Sequence, residues 1–215
     1  MKKLLLILLT VLSGSIATRA QVTVLPKIGF NVSDVRFDNG DFRFYGDALP
    51  RAGVVLGVGA EVPMNDPISI QAELLYISKG FSVDERFVEG WHSLNYLEMP
   101  LLAKATFGDR EMSFYGTGGL SLGLLLGGRV KGEWANDNDY DERVEFENRG
   151  VLPHEIDANR IDVGFNIGGG INFDAGGFPM FVDLRYNAGL IDYDQEQEPS
   201  RNRSFAVTVG GRLPL

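Results

Sequence analysis

Residues 160–173, RIDVGFNIGGGINF, alternate in polarity. Ile161, Val163, Phe165 and Ile167 share one parity, while Arg160, Asp162, Gly164 and Asn166 share the other. Successive side chains on a strand point to opposite faces, so this pattern makes a strand with one apolar and one polar face and suits no helix. MFVDLRYNA follows the same rule, setting Met180, Val182, Leu184, Tyr186 and Ala188 against Phe181, Asp183, Arg185 and Asn187. SFAVTVGGRLPL keeps Phe205, Val207, Val209, Gly211, Leu213 and Leu215 in phase. Eight segments of this kind lie near 23–33, 51–62, 67–79, 93–107, 111–127, 160–173, 178–190 and 203–215. The fifth is the least regular, being apolar on both faces from Gly123 to Gly128.

The connections order these strands. PMND, GDRE and DAGG are tight-turn sequences, rich in residues that accept turn geometry. The other four connections are long, near 34–50, 80–92, 128–159 and 191–202. Long and short alternate throughout. An eight-stranded antiparallel up-and-down barrel with one flush and one looped end produces this order. Transmembrane barrels have short periplasmic turns and longer extracellular loops.

A soluble barrel of the lipocalin type shares the alternation but turns its apolar face inward. Three features favour the transmembrane arrangement. The polar face is rich in Gly, Ser, Thr and Asn, which suits a narrow lumen. Each apolar face reaches the roughly 9–11 residues that a tilted membrane strand needs. The last segment keeps its phase to Leu215, where soluble domains usually fray.

The chain starts MKKLLLILLTVLSGSIATRAQ: a basic start, a short apolar run, and small residues leading to Thr18-Arg19-Ala20. This is the layout of a secretory signal peptide over residues 1–20, leaving a barrel domain over 21–215 in the cell outer membrane. Without Lys2, Lys3 and Arg19 the chain holds 17 basic and 29 acidic residues, a formal charge of −12, with no general attraction for nucleic acid. There is no cysteine, hence no disulfide and no lipid-anchored cysteine.

LNYLEMPLL, residues 94–102, sets Glu98 and Pro100 inside an apolar run. With Leu97, Met99, Leu101, Ala103 and Ala105 turned to lipid, the side chains of Tyr96, Glu98, Pro100, Leu102, Lys104 and Thr106 face inward. Eight strands enclose an interior just wide enough for side chains. Inward charges must then pair, since isolated ones cost several kcal/mol each. Lys104 and Arg185 are cations available to Glu98, and Glu73, Asp162 and Asp183 are further inward carboxylates. These six residues form an expected structural polar network. Pro100, which lacks a donor, is expected at a bulge.

LNYLEMPLLAK, residues 94–104, resembles the YLEIP-type signature of PorT-like outer-membrane β-barrel proteins of Bacteroidota. QAELLYISKGF, residues 71–81, is similar to that family's preceding strand, and LPKIGFNVS to its first strand. The resemblance spans essentially the whole mature chain. It implies an outer-membrane barrel, inserted by the barrel assembly machinery and surrounded by outer-membrane lipid. The chain departs from the common terminal Phe by ending Leu213-Pro214-Leu215. One founding member is linked to protein secretion, a role the resemblance does not transfer.

Other motifs are weaker. Asp137, Asp139 and Asp141 have the spacing of a calcium loop, but Glu142 stands where the turn glycine belongs and Asn148 where the bidentate Glu belongs. A solvated acidic loop is the better reading. His92 adjoins Ser93, but neighbours on a strand face opposite ways, which argues against a hydrolase pair; the other histidine, His154, lies at a loop edge. Gly118-Gly119 and Gly168-Gly169-Gly170 precede no helix and serve barrel curvature rather than phosphate binding. The expectation is a non-enzymatic barrel without metal or cofactor, with a structural or interaction role and an envelope or extracellular partner. A small transport or ligand-binding barrel is the alternative.

Overall fold

The computed structural model describes residues 22–37, 49–85, 88–109, 111–134, 138–143, 161–190 and 200–215. Residues 1–20, expected to be a signal peptide, lie outside these residues, as do Asp137, Asn148 and His154. The strands are β1 (Thr23–Phe37), β2 (Leu49–Asn65), β3 (Ile68–Glu85), β4 (Val88–Gly108), β5 (Met112–Trp134), β6 (Asn138–Arg143), β7 (Ile161–Asp174), β8 (Pro179–Gly189), β9 (Ser200–Gly211) and β10 (Leu213–Pro214).

Eight of them, β1–β5 and β7–β9, form the barrel wall, and each pairs antiparallel with its neighbour. The wall closes where β1 meets β9, from Lys27↔Gly210 to Phe37↔Ser200. Closure leaves the barrel with no open edge. The short β10 continues β9 and pairs with the start of β1. β6 pairs only with the upper part of β5, above the level where β7 begins.

The three tight turns fall together at one end of the barrel. At DAGG, Gly176 and Gly177 take φ +69° and +93°, and the Gly177 amide donates to Asp174 Oδ1 at 2.5 Å. A side chain at either glycine would sit in the disfavoured left-handed region. The outer face is apolar: Ile28, Phe30, Val54, Leu56, Leu101, Leu120 and Ile167 are all more than half exposed. Inward positions carry most of the buried polar residues.

Three expectations need correction. Segment 80–92 is not a long loop: β3 runs to Glu85 and β4 starts at Val88, with Glu85 opposite Val88 in the ladder. Likewise β5 continues to Trp134, and Asp139 and Asp141 lie on β6 rather than in a loop. Outside a membrane a strand needs no continuous apolar face, so its alternation fades while its hydrogen bonds continue. Pro100 makes no bulge either. The β3–β4 ladder has no bridge opposite Met99–Pro100, and its register is the same on both sides, from Ala72↔Leu101 to Leu75↔Glu98. The missing donor is accommodated by a local gap. The bulge in the β4–β5 ladder is at Leu126 of β5, between the pairs Asn95↔Gly127 and Tyr96↔Leu125.

Candidate functional site: the lumen and the raised wall

Inward side chains fill the barrel in three charged tiers. Nearest the short turns, Glu61 of β2 meets Lys104 of β4 at 2.9 Å and Arg212 at 3.3 Å, and accepts from Ser69 at 3.0 Å. In the middle, Glu73 of β3 meets Lys27 of β1 at 2.6 Å and Arg185 of β8, and accepts from Gln71. Arg185 also meets Asp183 at 3.1 Å, and the Tyr115 hydroxyl donates to Asp183 at 3.1 Å. In the third tier Lys79 of β3 lies 3.2 Å from Glu98 and 3.8 Å from Asp162. Glu98 further accepts from Ser121 at 2.7 Å and from Asn187 at 3.1 Å.

Each lumen lysine has both a carboxylate and an aromatic ring. Lys27 lies 5.2 Å from the Phe181 ring, Lys79 5.3 Å from Tyr96, and Lys104 4.1 Å from Tyr115. A ring face attracts a cation without adding formal charge, and the attraction is largest where water is excluded. On the β2–β5 side, Val55, Ile77, Leu94, Tyr96 and Leu125 pack into an apolar collar. A small cavity of about 30 Å³ lies beside Lys27, Asn166, Arg185 and Thr208. That is room for one or two waters. The Arg185 Nε and Thr208 Oγ1 atoms there have no protein partner.

All six expected network residues lie buried in the lumen: Glu73, Glu98, Lys104, Asp162, Asp183 and Arg185. Their pairing differs from the expectation at one place. Lys104 and Arg185 serve Glu61 and Glu73, and the cation at Glu98 is Lys79. Lys27, Glu61, Lys79 and Arg212 were not singled out from the sequence. Parity held the signal for two of them: Lys79 shares the phase of Glu73 on β3, and Lys27 lies between the buried Leu25 and Asn31.

His92 and Ser93 diverge. His92 stacks on Phe81 at 4.5 Å, while the Ser93 hydroxyl lies 3.3 Å from that of Ser78. Among the described residues no group of three or more His, Cys, Asp or Glu side chains is placed to hold a metal.

Above the apolar band, β3, β4, β5 and β6 continue as a four-stranded wall, and its register fixes three rows on one face. The lowest row is Gly80, Ser93, Arg129 and Arg143, and the next is Ser82, Trp91, Lys131 and Asp141. The highest is Asp84, Glu89, Glu133 and Asp139. The Arg51 guanidinium lies 4.0 Å from the Trp91 ring.

An apolar exterior around a charged, filled interior inverts the soluble arrangement and defines a membrane barrel. The chain belongs to the outer membrane protein beta-barrel domain family, whose sequence profile matches residues 18–195. No curated protein matches the sequence. Similar solved structures include Ail, the attachment invasion locus protein of Yersinia pestis, in complex with the heparin analogue sucrose octasulfate. It shares 12% identity over 91% of this chain and 100% of that one, with a TM-score of 0.43. Neisserial surface protein A shares 11% identity over 90% and 97%, with a TM-score of 0.44. The N-terminal β-barrel domain of Pseudomonas aeruginosa OprF shares 14% identity over 91% and 100%, with a TM-score of 0.35.

Proposed function

We propose that this protein is a non-conducting, non-enzymatic outer-membrane barrel of the PorT-like kind, with a structural or interaction role. It is exported by a cleaved signal peptide over residues 1–20 and inserted by the barrel assembly machinery. Its short turns face the periplasm, and the raised wall faces outward to meet an envelope or extracellular protein.

The observation that carries this reading is the filled lumen. Five carboxylates and five cations pair across it: Glu61, Glu73, Glu98, Asp162 and Asp183 with Lys27, Lys79, Lys104, Arg185 and Arg212. Opening a path would unpair buried charges, at a cost of several kcal/mol for each. Transport is therefore the weaker reading. Single-channel recording in planar bilayers tests the choice: the closed-lumen reading expects a flat baseline, and discrete reproducible conductance steps would replace it with transport.

A further inference from the structure

The Arg185 side chain is buried, at 6% exposure, and turns its two terminal nitrogens to carboxylates. Nη1 and Nη2 both donate to Glu73, and Nη2 also meets Asp183 at 3.1 Å. A guanidinium carries one more donor, on Nε, and among the described residues that atom has no protein partner. Thr208 of β9 is 5% exposed, and its Oγ1 has no partner either. Thr208 stands opposite Asp183 in the β8–β9 ladder, and Arg185 is the next inward residue on β8. Both border the same cavity of about 30 Å³. Buried polar atoms are almost always hydrogen-bonded, and a donor on a charged group is the most costly to leave without an acceptor.

Size and charge select the occupant. The volume suits one or two waters and is too small for a sugar or a phosphate ester. The ion pairs of the lumen hold five carboxylates and five cations. A halide or an alkali ion would therefore add a buried charge with no counterpart, which is unfavourable. Water adds none. It can accept from Arg185 Nε–H and bond Thr208 Oγ1, and the Asp183 carboxylate and the Asn166 amide border the same cavity for its remaining hydrogen bonds.

We propose that this cavity is a built water site, in which an ordered water bridges Arg185 Nε–H and Thr208 Oγ1 as a fixed member of the middle tier. A bridging water serves two polar groups nearly as well as a direct hydrogen bond. Thr208, which ends on no charged side chain, thereby supports the Arg185 guanidinium. The site goes beyond the closed-lumen reading and requires neither the signal peptide nor an orientation in the membrane.

The test uses full-length mature protein refolded in micelles, folding being verified by a gel-mobility shift. In rotating-frame NMR spectra of arginine-labelled protein, the Arg185 Nε–H should show a cross-peak to water with dipolar sign, opposite to that of chemical exchange. Thr208→Val changes only the hydroxyl branch, since the Thr208 γ-methyl already lies against Gly29, 2.9 Å from where a Cβ on that glycine would stand. That variant should weaken the cross-peak and lower the folding equilibrium constant in urea about threefold to tenfold. Thr208→Ser keeps the hydroxyl and should keep the cross-peak. Should Thr208→Val fail to fold, the wild-type and Thr208→Ser spectra still decide. A wild-type Nε–H resonance without a dipolar cross-peak to water would overturn the proposal. A Thr208→Val variant as stable as wild type or more so would do the same, because that is the outcome for an unpaired hydroxyl in a dry cavity. A saturable shift of the Nε–H resonance with sodium bromide would assign the site to an anion and also overturn it. None of these readouts depends on conductance, so their failure and the failure of the closed-lumen reading are told apart.

Discussion

The lower and upper parts of β3 belong to one continuous ladder with β4 yet follow different rules. From Ile68 to Tyr76 the outer positions are Ile68, Ile70, Ala72, Leu74 and Tyr76, and the inner ones are Ser69, Gln71, Glu73 and Leu75. Beyond Ser78 the outer positions become Gly80, Ser82 and Asp84, and the apolar stripe ends, although pairing continues to Glu85↔Val88. The hydrogen bonds are alike in the two parts and the surroundings are not. Inside the bilayer each outward residue must be apolar and each inward charge must be paired. Above it, water serves both faces. Alternation therefore reports the solvent around a strand more than the strand itself.

The largest effect should come from breaking the middle tier. Glu73→Ala leaves Lys27 and Arg185 facing each other without their shared carboxylate, so unfolding in urea should show a loss of about 3–5 kcal/mol. A loss under about 1 kcal/mol would mean that water already solvates the lumen as it does the wall. Glu98→Ala should cost less, about 2–3 kcal/mol, because Asp162 remains near Lys79 while Ser121 and Asn187 lose an acceptor. Equal losses for the two variants would show that the tiers are not separate.

Glycines sharpen the contrast between the faces. A Cβ at the inward Gly170 would lie 2.5 Å from the Tyr115 hydroxyl oxygen and 2.1 Å from the Val182 carbonyl oxygen, whereas one at the outward Gly118 meets nothing nearer than 4.0 Å. Gly170→Ala should therefore cost about 1–3 kcal/mol by overpacking. Gly118→Ala should be near neutral in the same urea titration. The smallest effect belongs to the upper rim. Arg203 and Asp34 form an ion pair whose side chains are 43% and 18% exposed, so Arg203→Ala should cost about 0.2–1 kcal/mol and lose much of that effect in high salt.

The barrel was legible because lipid imposes period two on every embedded segment. The inward phase of Glu73, Glu98, Lys104, Asp162, Asp183 and Arg185 followed from parity alone. Their partners did not. Arg185 reaches Glu73 from 112 positions away, and which inward residues share a level depends on the stagger of the closed barrel, a global quantity. Segment 80–92 was missed for the opposite reason: outside the bilayer nothing required KGFSVDERFVEGW to keep an apolar face. Pro100 misled because a lost donor was taken to need an extra residue, whereas a gap in one ladder sufficed.

The central claim is that the apolar outer face lies in lipid up to about Tyr76 and that the same strands then emerge into water. The chain has no cysteine, so single replacements report one position each. In sealed liposomes holding folded protein, Leu74→Cys on β3 and Leu101→Cys on β4 should resist a water-soluble, membrane-impermeant maleimide. Ser82→Cys, on the outer face eight residues beyond Leu74, should react in the population whose wall faces the bulk solution. Rapid labelling at Leu74→Cys and Leu101→Cys in the folded protein, to the same extent as at Ser82→Cys, would contradict the account and return the chain to a barrel that meets water along its whole height.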